Sequence, residues 1–586
     1  MTVAADSGDS RRTLERWVPG IRAIRTYDRG WLRRDLVAAV VLSAMLVPQG
    51  MAYAELAGLP AITGLYATVV CLVAYAAFGP SPYLVLGPDS SLGPVIAAII
   101  LPLAAGSVER AVGLAGMLAL LVGAIAIGAG IARLGFVSDL LSQPVRVGYM
   151  AGLAVVIVVS QLPALFGYEV EGGDIVADVQ AFMAGLGQSH LATLAVGLLA
   201  LGLIVGLKRL RPSLPGILIA VVVTMAISAV ADLAARGVAV VGVLPQGFPS
   251  PSLPMIEAAD LPVLVGGAVA ITLVTVGDTV SVSSGFATRR GRELDTDQEI
   301  VAIGAANVAC GVFSGFPIST SSSRTAVADQ AGAKSQLTGF AAALLVLLML
   351  VALPGLVRWL PLSVLAAIII VAGASLVDLP RLQRLWHVRR SDFAIALICL
   401  LGVVFVGVLE GIVIAVVVSA AEVFLRAWRP YSAVLGKPPD TRGYHDITRY
   451  PQAERPGGLV ILRWDAPLFF ANSSLFRDRV RELVQRGEAE TAPVDWVVVA
   501  AEPITDVDTT AADMLVRLDE ELNAEGIHLV FAELKDPVRD KLERYSIYEV
   551  IDPGHFYPTI KAAVQAYREE SASGAAGPPP VAQSEP

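Results

Sequence analysis

Apolar residues in this chain come in long runs, not in the strand-like alternation of a soluble sheet. From Leu36 to Trp428 the runs recur at roughly 17–25 residues, the length a helix needs to cross a bilayer. They predict about fourteen spans in two sets of seven. The first set covers Leu36–Gly58, Thr63–Phe78, Pro88–Ala105, Ala111–Ile131, Pro144–Leu165, Leu191–Leu207 and Leu214–Leu233. The second opens with Val263–Ala287, Glu299–Gly315, Ser319–Ala331, Leu337–Leu353 and Pro361–Val377. The remaining stretch, Phe393 to Trp428, is too long for one span and is divided near Glu410-Gly411.

Two spans are short or interrupted, and both stand third in their set. One opens with Leu86-Gly87-Pro88-Asp89-Ser90-Ser91-Leu92-Gly93-Pro94, the other with a hydroxyl-rich run from Ser319 to Ser323 followed by Arg324. Broken segments at matching places of two halves point to an inverted-repeat carrier with its site near the bilayer midplane. Such polar backbone is costly in hydrocarbon unless it lines a cavity or is buried in protein. Hydroxyls at a helix start, with a guanidinium close by, suit an anion held by free N–H groups and the positive end of the dipole. The alternative reading is a polar helix–helix contact, since Ser and Thr also pack membrane helices.

After Pro430 the pattern changes. Residues 431–457 read as a linker, and Gly458 to Glu569 as a small α/β domain. Its predicted strands are 458–464, 496–500 and 527–532, with helices over 473–487 and 509–523. The end of the chain, 570–586, is rich in Ala, Gly, Pro and Ser and is expected to be disordered.

Composition agrees with a membrane protein. Only 16% of the 586 residues are charged, against about 25% in ordinary soluble chains. The net charge of −9 argues against a nucleic-acid partner. Cys71, Cys310 and Cys399 lie in apolar runs and read as core residues; the five histidines lie outside the spans, so no metal site or cofactor is expected. Eight arginines between Arg11 and Arg34 place the N-terminal segment, 1–30, in the cytoplasm, and no cleavable leader is expected. With alternating spans, Arg133, Lys208-Arg209-Leu210-Arg211, Arg289-Arg290-Gly291-Arg292, Arg381 to Arg390, and Arg426 with Arg429 also fall inside, whereas Gly167–His190 carries no Lys or Arg and falls outside. An even number of spans returns the C-terminus to the cytoplasm. The chain shows neither a phosphate-binding loop nor catalytic-triad spacing, so an enzyme is not expected.

Val47-Pro-Gln-Gly-Met-Ala-Tyr-Ala-Glu-Leu-Ala-Gly-Leu-Pro60 and the following Gly64-Leu65-Tyr66 resemble the first two spans of the sulfate permease (SulP) family of anion transporters. Gly315 to Gly339 is similar to that family's tenth span, and the tail resembles its STAS domain. The resemblance runs from Trp31 to about Tyr567. It implies a transport domain over 31–430 built as a seven-plus-seven inverted repeat of core and gate, with spans three and ten meeting head to head, and a homodimer in the plasma membrane.

By the same resemblance the anion-binding residues are Gln49 and Tyr53 in span one, Ser90 and Ser91 in span three, and Ser322, Ser323 and Arg324 in span ten. Packing is the competing reading for Gln49 and Tyr53. An ion pair with Asp329 or Asp89 is the competing reading for Arg324. Asp89 itself would cap a helix well yet repel an anion. Asp278, in mid-span, is the candidate for cation coupling, with Thr279 beside it. A buried carboxylate can carry a proton or, with hydroxyls, hold Na⁺. Sodium-coupled bicarbonate relatives use a hydroxyl one turn later, where this chain has Val282, which favours the proton. A structural, capped carboxylate is the alternative.

In the tail, Asp508-Thr509 matches the place where related STAS domains are phosphorylated, making Thr509 a candidate regulatory site; helix capping by Asp508 is the preferred reading. The expected function is proton-coupled uptake of a small oxyanion, sulfate first. The alternatives are Na⁺-coupled bicarbonate or dicarboxylate transport, a passive anion channel, and a membrane sensor that signals to a cytoplasmic protein through the STAS domain.

Overall fold

In the computed structural model, the structure describes residues 17–573 apart from 135–141, 169, 171–174, 212–213, 249, 252–253, 255, 292–294, 491–492 and 548–549. The N-terminal arginines before residue 17, the end of the chain from 574, Arg292 and parts of the Gly167–His190 connection therefore lie outside the described residues. The chain divides into two compact units, residues 1–419 and 420–586.

The first unit is helical. Besides three further described helices, Pro19–Arg25, Ile175–Gly185 and Leu379–Val388, it holds two sets of seven; the first set is α1 (Leu32–Leu56), α2 (Ala61–Phe78), α3 (Gly93–Ala104), α4 (Val108–Ile131), α5 (Gln143–Phe166), α6 (Leu191–Leu210) and α7 (Gly216–Val230). The second seven are α8 (Leu261–Arg289), α9 (Thr296–Val312), α10 (Ser322–Gln330), α11 (Leu337–Ala352), α12 (Leu362–Ala374), α13 (Arg390–Phe405) and α14 (Val408–Trp428). Eight described helices are long and apolar enough to cross a membrane by themselves; α3, α7 and α11 are apolar but shorter.

The division of the last stretch falls at Gly407, not at Glu410-Gly411. Gly407 has φ 145°, a backbone that breaks the helix between α13 and α14, and Glu410 then sits in the first turn of α14. The sequence pattern shows no polar break there, because Val406 and Val408 flank the glycine.

The packing repeats between the two sets. Helix α4 lies on α8 and α9 as α11 lies on α1 and α2, and α5 lies on α13 as α12 lies on α6. Two groups result, α1–α4 with α8–α11 and α5–α7 with α12–α14, touching mainly where α1 meets α7 and α12 and where α3 meets α5. The α4–α9 crossing needs glycine. A Cβ on Gly123 would lie 2.6 Å from the Gly304 carbonyl, and one on Gly311 would lie 2.5 Å from the Gly116 carbonyl. Without side chains the backbones approach closely, which is how membrane helices gain packing where no hydrophobic effect drives them together.

The second unit carries a six-stranded sheet in the order β4-β3-β5-β6-β7-β8. The strands are β3 (Ser432–Gly436), β4 (His445–Asp446), β5 (Leu459–Trp464), β6 (Trp496–Ala500), β7 (His528–Ala532) and β8 (Phe556–Tyr557). Strands β5 to β8 are parallel, and β3 pairs antiparallel with both β4 and β5. The 431–457 stretch, expected as a linker, thus forms one edge of the sheet. Its strands are too short, and too interrupted by Gly-Lys-Pro-Pro, to show a period. Helices α15 (Ser473–Glu490), α16 (Thr509–Ala524) and α17 (Asp536–Arg544) cover one face over Leu462, Val497, Val499, Leu529 and Phe531. Helix α18 (Ile560–Ser573) covers the other with Ala563, Val564 and Tyr567 over Trp496, Val498 and Val530. Burial on both faces explains why β6 reads as a continuous apolar run.

Candidate functional site

The site is built where the two broken spans meet. Before α3 and α10 the chain is extended, and strands β1 (Leu86–Gly87) and β2 (Ser319–Thr320) pair antiparallel, Leu86 with Thr320 and Gly87 with Ser319. Ser321 N–H donates to the Val85 carbonyl at 3.2 Å, and Val85 N–H to Thr325 Oγ1 at 3.1 Å. The ladder satisfies backbone groups that would otherwise lie bare inside the membrane unit. It also fixes the starts of both short helices side by side.

Three polar side chains absent from the sequence-based set hold this pair in place. Asn307 on α9 brackets Ile318, donating to its carbonyl at 3.2 Å and accepting from its N–H at 2.9 Å. Gln336 donates to the carbonyls of Ser81 at 2.7 Å and Leu84 at 3.0 Å. Asp35, fully buried on α1, accepts from Lys334 N–H at 2.6 Å, Ser335 Oγ at 2.7 Å and Thr338 Oγ1 at 3.1 Å, fastening the α10–α11 connection. Their partners lie in other spans, so no local pattern marks them; polar residues within apolar runs are the only signal they leave.

A cavity of about 700 Å³ opens in front of the two helix starts. Gln49, Tyr53, Ser90, Ser91, Ser322, Ser323 and Asp278 all line it, with Asp89, Thr320 and Ser321. It extends to Lys208, Pro215 and Ser375 at the ends of α6, α7 and α12. Ser321 caps α10, its Oγ accepting from Arg324 N–H at 3.5 Å and lying 3.1 Å from Ser323 Oγ. Gln49 Oε1 is buried without a partner among the described residues.

Two expected residues stand apart from the cavity wall. Arg324 is 1% exposed and runs behind β1, Nη2 donating to the Gly87 carbonyl at 3.3 Å and lying 3.6 Å from Asp89 Oδ1. Its Nε and Nη1 have no hydrogen-bond partner among the described residues. Asp329 is instead paired with Arg290, so of the two carboxylates weighed for Arg324 the structure selects Asp89. Thr279 is buried, its Oγ1 2.9 Å from Thr320 Oγ1, where it ties α8 to β2.

Asp89 is not a helix cap. The α3 N-cap position is Leu92, and Asp89 Oδ2 accepts from Ser91 N–H at 3.1 Å and Ser91 Oγ at 2.7 Å. Three residues separate the carboxylate from the first helical turn, because the chain makes a tight turn at 89–92 before it coils. Among the charged residues lining the cavity are Asp89, Asp278 and Lys208, the last read in the sequence only as a marker of topology.

These features match known proteins. Residues 32–399 match the sulfate permease family and residues 450–563 the STAS domain. The chain belongs to the sulfate permease family. It is 41% identical over 552 residues to a protein of Mycobacterium tuberculosis named as a probable sulfate transporter, covering 94% of this chain and 98% of that one. It is 32% identical to the chloroplastic sulfate transporter 4.1 of Arabidopsis thaliana, covering 95% of this chain and 84% of that one. The fold superposes on murine Slc26a9, an anion transporter solved in the inward-facing state, with TM-score 0.88, 24% identity, and 97% and 96% of the two chains covered. The transmembrane domain of the cyanobacterial bicarbonate transporter BicA matches with TM-score 0.59 and 22% identity over 67% of this chain and 98% of that one. This chain is therefore a multi-pass membrane protein of an anion-transporter family with a C-terminal STAS domain.

In the STAS domain, Asp508 caps α16 by accepting from Ala511 N–H at 2.8 Å, and also accepts from Phe470 N–H at 2.8 Å. Thr509 follows it at the exposed start of the helix. The cap that the sequence favours is present, and the hydroxyl beside it is accessible.

Proposed function

We propose that this permease is a secondary active carrier that takes up sulfate with protons by alternating access. The observation that carries the reading is the head-to-head pairing of β1 with β2, which aims the starts of α3 and α10 at one cavity lined by Ser90, Ser91, Ser322 and Ser323. Hydroxyls and helix N-termini can replace the hydration of a divalent oxyanion. Arg324 contributes a fixed positive charge from behind the strand and offsets Asp89, so the anion does not face an uncompensated carboxylate. Two relatives that cover most of this chain are named as sulfate transporters, which supports sulfate over bicarbonate.

Asp278 is the proposed coupling group. It lines the cavity in mid-span, and Val282, one turn on, also lines it and offers no oxygen to a sodium ion. With Thr279 turned to Thr320, a proton fits this site better than Na⁺. The basic ends of α6 and α8 are read as cytoplasmic, which makes the cavity inward-open, with both termini inside. A homodimer in the plasma membrane, and a cytoplasmic partner for the STAS surface around Thr509, complete the proposal.

The test is uptake of labelled sulfate into proteoliposomes under an imposed inward proton gradient, beside Asp278→Asn and with bicarbonate as competitor. Gradient-driven uptake lost in Asp278→Asn is the expected result. Bicarbonate accumulation that requires Na⁺, without sulfate uptake, would overturn it.

A further inference from the structure

Asp278 faces a second, much smaller space. A gap of about 10 Å³ lies between α5, α8 and α14, lined by Arg146, Tyr149, Gly277, Asp278, Ile412 and Ala415 among others. Asp278 therefore forms part of the wall between the large cavity and this gap. The gap lies on the boundary between the two helix groups, because α5 and α14 belong to one and α8 to the other.

Arg146 reaches across that boundary. Its Nη1 donates to Ser281 Oγ at 2.5 Å, and Ser281 in turn donates to the Gly277 carbonyl at 2.7 Å, which fixes the direction of the bond. A Cβ on Gly277 would stand 3.6 Å from Arg146 Nη2, so the guanidinium lies along the face of α8 one residue from Asp278. Tyr149, one turn along α5, is 4% exposed, and its hydroxyl has no partner among the described residues. A buried phenol without a partner is costly, and this one stands beside a carboxylate that could accept from it.

We propose that Arg146, assisted by the Tyr149 hydroxyl, is the counter-charge that sets whether Asp278 is ionised. This rests on the reading of Asp278 as the coupling group. While the two helix groups are docked here, Arg146 favours the ionised carboxylate. When they slide apart, Asp278 loses that partner and binds a proton from the cavity. Each passage of the helix groups past one another thus drives a proton on or off.

The other groups facing Asp278 are few. Asp89, from the turn before α3, is a like charge on the same cavity; Lys208, at the end of α6, lines it too, as do the uncharged Tyr53 on α1 and Thr320 and Ser321 beside β2. On its own helix Thr279 and Ser281 are already engaged with Thr320 and Arg146. From α14 only Ile412 and Ala415 line the gap, and neither carries charge. Arg146 is the cation that shares the small gap with Asp278, and it stands on a helix of the other group, whereas Lys208 faces Asp278 only across the large cavity.

The experiment is infrared difference spectroscopy of the carboxyl stretch in the purified full-length protein, titrated with pH. Asp278→Asn identifies the band, and the pH profile of labelled sulfate uptake is recorded in parallel. In Arg146→Gln the band's midpoint is expected to move to higher pH by about 1–3 units, the range for removing an adjacent opposite charge. Tyr149→Phe and Ser281→Ala should move it in the same direction by less, and Arg146→Lys should restore it. Should Arg146→Gln fail to fold, Ser281→Ala against Arg146→Lys carries the comparison. An unmoved midpoint with only a lower maximal uptake rate overturns the inference and assigns Arg146 to packing. A midpoint that moves while wild-type uptake ignores the proton gradient keeps the inference and removes the proton-coupled reading.

Discussion

Arg324 and Asp89 form an ion pair across the two broken spans, Nη2 to Oδ1 at 3.6 Å, with the guanidinium buried behind the strand and the carboxylate partly open to the cavity. The pair joins the two halves of the repeat at the point where an anion would sit. It also settles why a carboxylate is tolerable there: the pair is internally neutral, and the helix starts supply the remaining positive field.

That pairing predicts a strong coupling between the two residues. Arg324→Gln leaves Asp89 without its cation and is expected to destabilise the protein by about 3–5 kcal/mol, the usual cost of breaking a buried pair. Arg324→Gln/Asp89→Asn should recover much of that stability, because it removes both charges of the neutral pair and leaves neither one stranded. Thermal unfolding of the four proteins in a double-mutant cycle measures it; additive effects would contradict the pair.

Gly87 has no room for a side chain. A Cβ there would lie 2.7 Å from Arg324 Nη1. Gly87→Ala should therefore displace the guanidinium and lower the rate of uptake at least about tenfold, as a small misplacement at a binding site does. Its folding should suffer as well, because the displaced guanidinium is buried and held by Asp89 and the Gly87 carbonyl. Uptake kinetics and unfolding temperature together separate the two effects.

Asn307→Ala removes both hydrogen bonds to Ile318 and leaves a buried N–H and carbonyl unpaired, at about 1–3 kcal/mol each. The expected outcome is a lower unfolding temperature and a loosened β1–β2 pair. Hydrogen exchange at Ser319 to Ser321 should speed up more than at α4 or α9. Unchanged exchange at β2 would show that Asn307 does not hold it.

The architecture was largely readable from the chain, because a bilayer forces long apolar runs and those runs survive averaging over many residues. Ser90, Ser91, Ser322 and Ser323 were singled out by the family resemblance, since hydroxyls in a membrane span serve helix packing as readily as a ligand, and the structure places all four on the wall of one cavity. Arg146, Asn307, Gln336 and Asp35 were not, since each acts on a partner in another span and its own run says nothing of which face it turns. Arg324 was legible as a charge but not in its direction, since only the strand pairing shows that it lies behind Gly87. Strands β3 and β4 were hidden by their shortness.

The STAS domain carries its own pH dependence. Asp519 on α16 is 1% exposed and Oδ1 has no partner among the described residues, although Asn523 donates to Oδ2 at 2.9 Å. Burial raises its pKa to about 6, against the acid's ordinary value near 3.8. The folded domain thus holds this proton more tightly than the unfolded chain. The stabilisation is complete below about pH 4 and is lost as pH rises through about 6. Asp519→Asn should raise the domain's unfolding temperature at pH 7.5 and leave it unchanged at pH 4. Equal effects at both values would show that ionisation is not the cause.

In the proposed function the anion sits between the starts of α3 and α10. The most direct measurement is equilibrium binding of sulfate to the purified protein by calorimetry, comparing wild type with Ser91→Phe and Ser323→Phe, which fill that space from either side. Saturable binding by wild type that both variants lose, with unfolding temperatures close to wild type, is the predicted result. Wild-type affinity retained in both folded variants would place the anion elsewhere and contradict the account.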